Sequence, residues 1–406
     1  MRLSLLTLAL AGALAAPADA ARTLGTLDFT DCELSRPGTG ATTRAECATL
    51  EVPENPDQPD GRRITLKLAL LPSRAAEPAA EPVVMLAGGP GQAATEAFGA
   101  MAGELAKLRE KRHVLLMDQR GTGGSNRLAC EFPDELATDA ASTERQVQMA
   151  RDCLASLDAD VAMYTTSVAV KDLEALRLAV GAPAFHVYGG SYGTRVAQEF
   201  ARQYPASVRS LVLDGVVPPA LALGSEHALN LETALQAILS RCADDVACAS
   251  AFGDPYARLQ ELQQRARLAP QSLDVADPLT QKPRAMRLDG DSVAVVARLF
   301  AYAPESAALL PLLVDEALRG RPDPLLAQAA LVVDSLVGQI NHGMQLSVIC
   351  AEDAPRLQAQ PGDEGRVLGT AMIDVLRNQC SVWPKGPVSP DFHAPLRIEA
   401  PVLLLS

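Results

Sequence analysis

The stretch Phe185-His186-Val187-Tyr188-Gly189-Gly190-Ser191-Tyr192-Gly193-Thr194 restricts this chain more than any other. Phe185, Val187 and Tyr188 are aromatic or β-branched and favour a strand. From Arg195 to Arg202 the spacing is helical, and Tyr204-Pro205 ends it. Between strand and helix lies G-x-S-x-G, with Gly189 and Gly193 flanking Ser191. A strand, a very sharp turn and a helix in that order are what a nucleophile elbow requires. The serine takes a strained backbone position, and neighbours without side chains let strand and helix pack around it. Gly-Gly-Ser also occurs in ordinary turns, so the flanking strand and helix carry the reading of Ser191 as a nucleophile. Backbone N–H groups at the start of the helix then face any oxyanion formed there.

The strands and helices around this stretch alternate. Ile64 to Leu71 alternates Ile64, Leu66, Leu68 and Leu70 against Thr65, Lys67 and Ala69, which predicts a strand with one wetter face. The continuous apolar run from Pro82 to Leu86 and the run from His113 to Met117 read as strands buried on both faces. Val208 to Leu213 is the strand after the elbow helix, and Asp214 ends it. Helices are expected over 95–107, 143–157 and 166–180. This order predicts an α/β fold with a mostly parallel sheet and flanking helices. Before it, 21–50 is mixed, with a short strand at 23–29, and Pro53 to Gly61 is a turn. After Pro219 strand signals are few, and 221–268, 292–301, 305–318, 324–340 and 365–377 read as largely helical. The expected division is a signal peptide over 1–20, an α/β core over 21–217, a helical lid over 218–395 and a returning, truncated core strand over 396–406.

Two loops follow the buried strands. Ala87-Gly88-Gly89-Pro90-Gly91-Gln92 is either a Gly/Pro turn or a source of a second oxyanion donor. Asp118-Gln119-Arg120-Gly121-Thr122-Gly123-Gly124-Ser125 stands at a strand's carboxyl end, where open sheets place their crevice. Its Asp118 and Arg120 are better suited to satisfying backbone groups than to direct chemistry, and it lacks the G-x-x-x-x-G-K-[ST] pattern of a phosphate loop. Cys350-Ala351-Glu352-Asp353 places two carboxylates beside a cysteine. It is either a solvated acidic turn or a site where Glu352 holds a substrate ammonium group.

Composition narrows the function classes. A hydrophobic share of 48% and a charged share of 21% are those of a globular protein. A net charge of −13 argues against nucleic acid and anionic membrane surfaces, which reward clustered Lys and Arg. Met1-Arg2, the apolar run from Leu3 to Ala16 and the small-x-small pattern Ala18-Asp19-Ala20 read as a secretory signal cleaved before Ala21. The chain is therefore expected outside the cytoplasm, in the periplasm or the medium. Eight cysteines fit that compartment. Pairing of sequence neighbours suggests Cys32–Cys47, Cys130–Cys153, Cys242–Cys248 and Cys350–Cys380, among the roughly 105 connectivities that eight cysteines allow. With no C-x-x-C pair and no histidine cluster, neither zinc nor any other cofactor is expected.

At the three glycine-rich motifs, 87–92, 118–125 and 189–194, the sequence resembles the α/β-hydrolase family of prolyl aminopeptidases and secreted tripeptidyl aminopeptidases. The 350–353 segment and the Pro401 strand extend the resemblance over nearly all of the mature chain. It implies a serine aminopeptidase that cleaves peptides from their amino ends through an acyl-enzyme. Ser191 matches the nucleophile, the backbone N–H groups of Gly89 and Tyr192 match the oxyanion donors, and acidic groups of a cap hold the free amine. Ala87 stands where prolyl aminopeptidases have a histidine. In the family the triad acid follows the strand that Val402 to Leu405 resembles, and the histidine comes later still, so both are expected beyond Ser406. His113, His186, His227, His342 and His393 all lack that setting. Without a base a serine hydroxyl is a weak nucleophile, and residual catalysis is expected to be orders of magnitude slower. An esterase on the same fold and a non-catalytic binding protein are the other two readings.

Overall fold

The computed structural model describes residues 22–35, 42–99, 101–130, 142–336 and 338–405. The signal segment expected over 1–20 lies outside them.

Eight strands precede the cap: β1 Arg22–Leu24, β2 Leu27–Ser35, β3 Thr42–Pro53, β4 Arg63–Leu71, β5 Val83–Leu86, β6 Val114–Met117, β7 Phe185–Gly190 and β8 Val208–Asp214. The helices among them are α1 Ala94–Gly99, α2 Thr143–Ser156, α3 Thr166–Ala179 and α4 Tyr192–Gln203. There follow α5 His227–Asp244, α6 Val246–Phe252, α7 Pro255–Leu268, the hairpin β9 Gln271–Ala276 and β10 Pro283–Leu288, α8 Gly290–Phe300, α9 Pro304–Ala307, α10 Leu310–Leu318 and α11 Asp323–Leu336. The last elements are α12 His342–Glu352, α13 Ala371–Cys380 and β11 Val402–Leu405.

Nine strands form one sheet in the order β1-β2-β3-β4-β6-β5-β7-β8-β11. It is antiparallel from β1 to β6 and parallel from there to β11. The chain leaves β5 for β6 on one side and later returns to β7 on the other. The carboxyl ends of β5 and β7 therefore border a topological switch point, where open α/β sheets form their binding crevice.

Period-two alternation sends successive side chains to opposite faces. Val84, Leu86, Leu115 and Met117 belong to the apolar cluster on one face, which also holds Leu66, Leu68 and Leu70. Val83, Met85, Val114 and Leu116 belong to the other, with Leu71, Ala69 and Phe98. Both faces are covered, so β5 and β6 are buried at every residue. β4 is wet on its second face only at its start: Thr65 is exposed, but Ala69 is buried under α1 and its neighbours.

The region read as a helical lid divides in two. α5, α7, α8, α10, α11 and the β9–β10 hairpin share an apolar cluster of their own. α12 does not join them. Met344, Leu346, Val348, Ile349 and Cys350 pack into the main core beside Val170, Tyr192 and Trp383. Within the expected lid over 218–395, α12 thus packs with the main core, while Val367 and Leu368 after it pack with the cap cluster. The hairpin β9–β10 and the twelve-residue β3 are further departures from the predicted elements. The helix expected over 95–107 is confined to α1, with short 3-10 turns after it. All four expected disulfides form, and Cys350–Cys380 ties α12 to α13.

Candidate active site

Ser191 sits between β7 and α4 at φ 54° and ψ −121°, a conformation that L residues rarely adopt, and it is exposed. Its surroundings determine that bend. The Ser191 N–H donates to the Asp214 carbonyl at 2.8 Å. Its carbonyl accepts from the Thr194 N–H at 2.9 Å and from the Thr194 hydroxyl at 2.6 Å. The same hydroxyl oxygen accepts the Val217 N–H at 2.9 Å, so the loop after β8 is fastened to the elbow. A Cβ on Gly189 would lie 2.3 Å from the Gly193 carbonyl oxygen, and one on Gly193 would lie 2.2 Å from that of Leu86. Both positions therefore demand glycine. Gly190 does not, since a Cβ there meets only Tyr188 atoms at 3.7 Å and beyond.

The loop after β5 lies beside the serine. A Cβ on Gly88 would come within 3.1 Å of the Ser191 Cβ. Gly89 and Gly91 have φ of 107° and 108°, open to glycine alone without strain. Tyr192 is the first residue of α4, so its N–H has no partner within the helix. The fold thus brings the segments carrying Gly89 and Tyr192 together at the carboxyl ends of adjacent strands.

The 118–125 loop is structural in its contacts. The Asp118 carboxylate accepts the Thr95 N–H at 2.8 Å, the Thr95 hydroxyl at 3.0 Å and the Gly124 N–H at 3.1 Å. Burial pushes this carboxyl upward, against those donors. Arg120 is fully buried and makes a bidentate pair with Asp172, both contacts at 2.7 Å, while donating to the Glu54 and Met163 carbonyls. One guanidinium thereby binds the end of β3, the turn before α3, and α3 itself.

Glu352 is not in a solvated turn. It ends α12 with its side chain fully buried. One carboxyl oxygen accepts the Thr166 N–H at 2.7 Å and the other the Thr166 hydroxyl at 3.0 Å. That hydroxyl lies 2.6 Å from the Tyr192 hydroxyl, which also receives the Gln119 side-chain amide at 3.2 Å. Burial lifts the Glu352 carboxyl to about 8, with Arg195 opposing and Asp353 adding to the rise. A carboxyl enclosed in this way has no open face for a substrate amine. Its neighbour Asp353 receives both 2.9 Å contacts of the Arg195 guanidinium and the Leu223 N–H at 3.0 Å. Sequence reasoning gives Arg195 no site role and Thr166 only a place at the start of a helix. The one available signal is the charge of Arg195, four residues after the serine on the elbow helix.

The base is a separate matter. Among the described residues no histidine is hydrogen-bonded to Ser191. His113 receives the Ser73 N–H at 3.2 Å, His186 shares a 2.7 Å bond with the Ser210 hydroxyl, and His393 faces the Pro219 carbonyl at 3.2 Å. His342 meets the Gln345 side chain at 3.2 Å, and burial brings His227, at the start of α5, down to about 4. Asp214 is close to the elbow through its main chain, but its carboxylate accepts the Tyr188 hydroxyl at 2.7 Å.

Comparisons with known proteins agree with this architecture. Residues 81–279 match the family model for the alpha/beta hydrolase fold. The serine protease Hip1 of Mycobacterium tuberculosis is 26% identical over 416 residues, spanning 93% of this chain and 78% of that protein. Carboxylesterase B of Mycobacterium tuberculosis is 28% identical over 50% of this chain and 43% of its own length. A proline iminopeptidase of Xylella fastidiosa is 28% identical over 34% of this chain and 33% of its own.

Proposed function

From an α/β-hydrolase fold with serine protease and peptidase relatives, we infer a serine hydrolase that releases residues from the amino ends of peptides. The carrying observation is Ser191 itself, exposed at φ 54° at the switch point of the sheet beside a glycine loop. The Ser191 Oγ attacks the scissile carbonyl as its proton passes to a base. The oxyanion rests on the Gly89 and Tyr192 N–H groups, the amine leaves with a proton, and water then cleaves the acyl-enzyme. No histidine among the described residues is hydrogen-bonded to Ser191, so none of them is assigned as the base. Glu352 has no part in holding the amine in this reading. The four disulfides support an exported protein.

An esterase is the second reading, favoured by the likeness to carboxylesterase B. A tripeptidyl anilide, its N-acetylated form and a p-nitrophenyl ester separate the alternatives. Preference for the free amine supports the aminopeptidase. Turnover of the ester alone supports the esterase. If no substrate turns over, the binding-protein reading replaces both.

A further inference from the structure

α12 touches both loops assigned to the oxyanion. At its start Asn341, itself buried, donates to the Gly91 carbonyl twice: from its backbone N–H at 2.9 Å and from its side-chain amide at 2.8 Å. Its side-chain oxygen receives the Arg127 guanidinium at 2.6 Å, so the amide cannot turn over without losing both partners. Gly91 lies two residues after Gly89. At the other end Glu352 holds Thr166, and Thr166 holds the hydroxyl of Tyr192, the residue whose N–H begins α4. Asp353 adds its grip on Arg195, one turn along the same helix.

The helix between these contacts is a rigid spacer. Its eleven residues span about 16 Å, and Met344, Val348 and Cys350 have no exposure at all. Ser347 receives the Trp383 indole N–H at 3.1 Å, the Gly343 N–H donates to the Leu128 carbonyl at 2.9 Å, and the Cys350–Cys380 bond fixes the far end. The two loops follow different strands, β5 and β7, which pair side by side in the sheet. An element seated on both can set the separation of the two N–H donors.

We propose that α12 is the strut that sets the oxyanion site, with Asn341 positioning Gly89 through Gly91 and Glu352 positioning Tyr192 through Thr166. The proposal rests on the assignment of Ser191, Gly89 and Tyr192 above. It gives the carboxylate beside Cys350 a role in transition-state geometry and none in substrate recognition. Asn341 and Glu352 are positioning residues, since neither meets the reacting atoms.

The test uses Asn341→Asp, Glu352→Gln and Glu352→Ala in the full chain. Asn341→Asp keeps the acceptor for Arg127 and removes the second donor to Gly91. Glu352→Gln keeps an acceptor for the Thr166 N–H, and Glu352→Ala removes it. A fluorophosphonate probe reports on the oxyanion site: phosphorus bonds to Oγ, fluoride leaves, and the phosphoryl oxygen occupies the donors' place. Asn341→Asp and Glu352→Ala are expected to lower the limiting labelling rate tenfold or more with the half-saturating probe concentration unchanged. Glu352→Gln is expected to stay within threefold of the parent. Hydrogen exchange of peptides over 86–93 and 190–194 gives a second readout that needs no reactivity. Faster exchange is expected in the first for Asn341→Asp and in the second for Glu352→Ala. Unchanged exchange in both loops, or a rate loss matched by Glu352→Gln, overturns the strut. A parent protein that fails to label while exchange responds as expected refutes the nucleophile reading and leaves the strut standing.

Discussion

Arg195 and Asp353 meet at 2.9 Å with side chains 1% and 0% exposed, whereas Arg265 and Glu261 in the cap pair with theirs 60% and 43% exposed. The same contrast runs through both regions. Around the elbow, Arg120–Asp172 and the Glu352–Thr166–Tyr192 chain are closed off from water. In the cap, positions are set by an apolar cluster that includes Leu235, Leu259 and Phe300, with most charges at its rim. A buried charge has no acceptable alternative partner, so it fixes a loop in one place. An exposed one can exchange its partner for water at little cost. The site is thus held by polar restraint, and the cap by packing.

The contrast can be broken first at the elbow. Gly193→Ala forces a Cβ to within 2.2 Å of the Leu86 carbonyl, and a loss of about 5 kcal/mol is expected by chemical denaturation. Asp353→Ala takes from the buried Arg195 guanidinium its nearer carboxylate, leaving Glu352 at 3.7 Å, and is expected to cost about 4 kcal/mol. Leu235→Ala, fully buried in the cap cluster, is expected to cost about 3 kcal/mol without slowing probe labelling of Ser191. Slowed labelling in that variant would show the cap to be a second positioning element.

A pH series sharpens the comparison without removing a partner. Glu352 has a folded value raised to about 8 from an ordinary 4.5. The unfolded chain gives up this proton first, so ionisation favours unfolding. The stabilising share is complete below about pH 4.5 and is lost as pH rises through about 8. Melting temperature is expected to fall across that window, and Glu352→Gln is expected to flatten the fall. The smallest effect belongs to the cap rim, where Arg265→Ala is expected to change stability by less than about 0.5 kcal/mol.

These differences also explain what the sequence could disclose. The elbow was legible because its requirements are local: two glycines, a strand before, a helix after. β5 and β6 were legible because a strand covered on both faces is apolar at every residue. Four disulfides followed from proximity in the chain. β3 was not legible, because Ala45 and Val52 alone are buried among its twelve residues and no alternation results. The β9–β10 hairpin is similarly wet, with Val275 the one buried residue of β9. Asn341 and Thr166 carry no sequence signal, since their partners lie 250 and 186 residues away. The character of α12 as core rather than cap is likewise a matter of what it meets in space.

The central claim is that Ser191 is a nucleophile held in a strained, accessible bend. Mass analysis of the chain after exposure to a fluorophosphonate tests it most directly, read against Ser191→Ala. The account predicts a single adduct on the peptide that carries Ser191, and no adduct in the variant. Absence of the adduct, or its appearance on another residue in both proteins, would contradict the account.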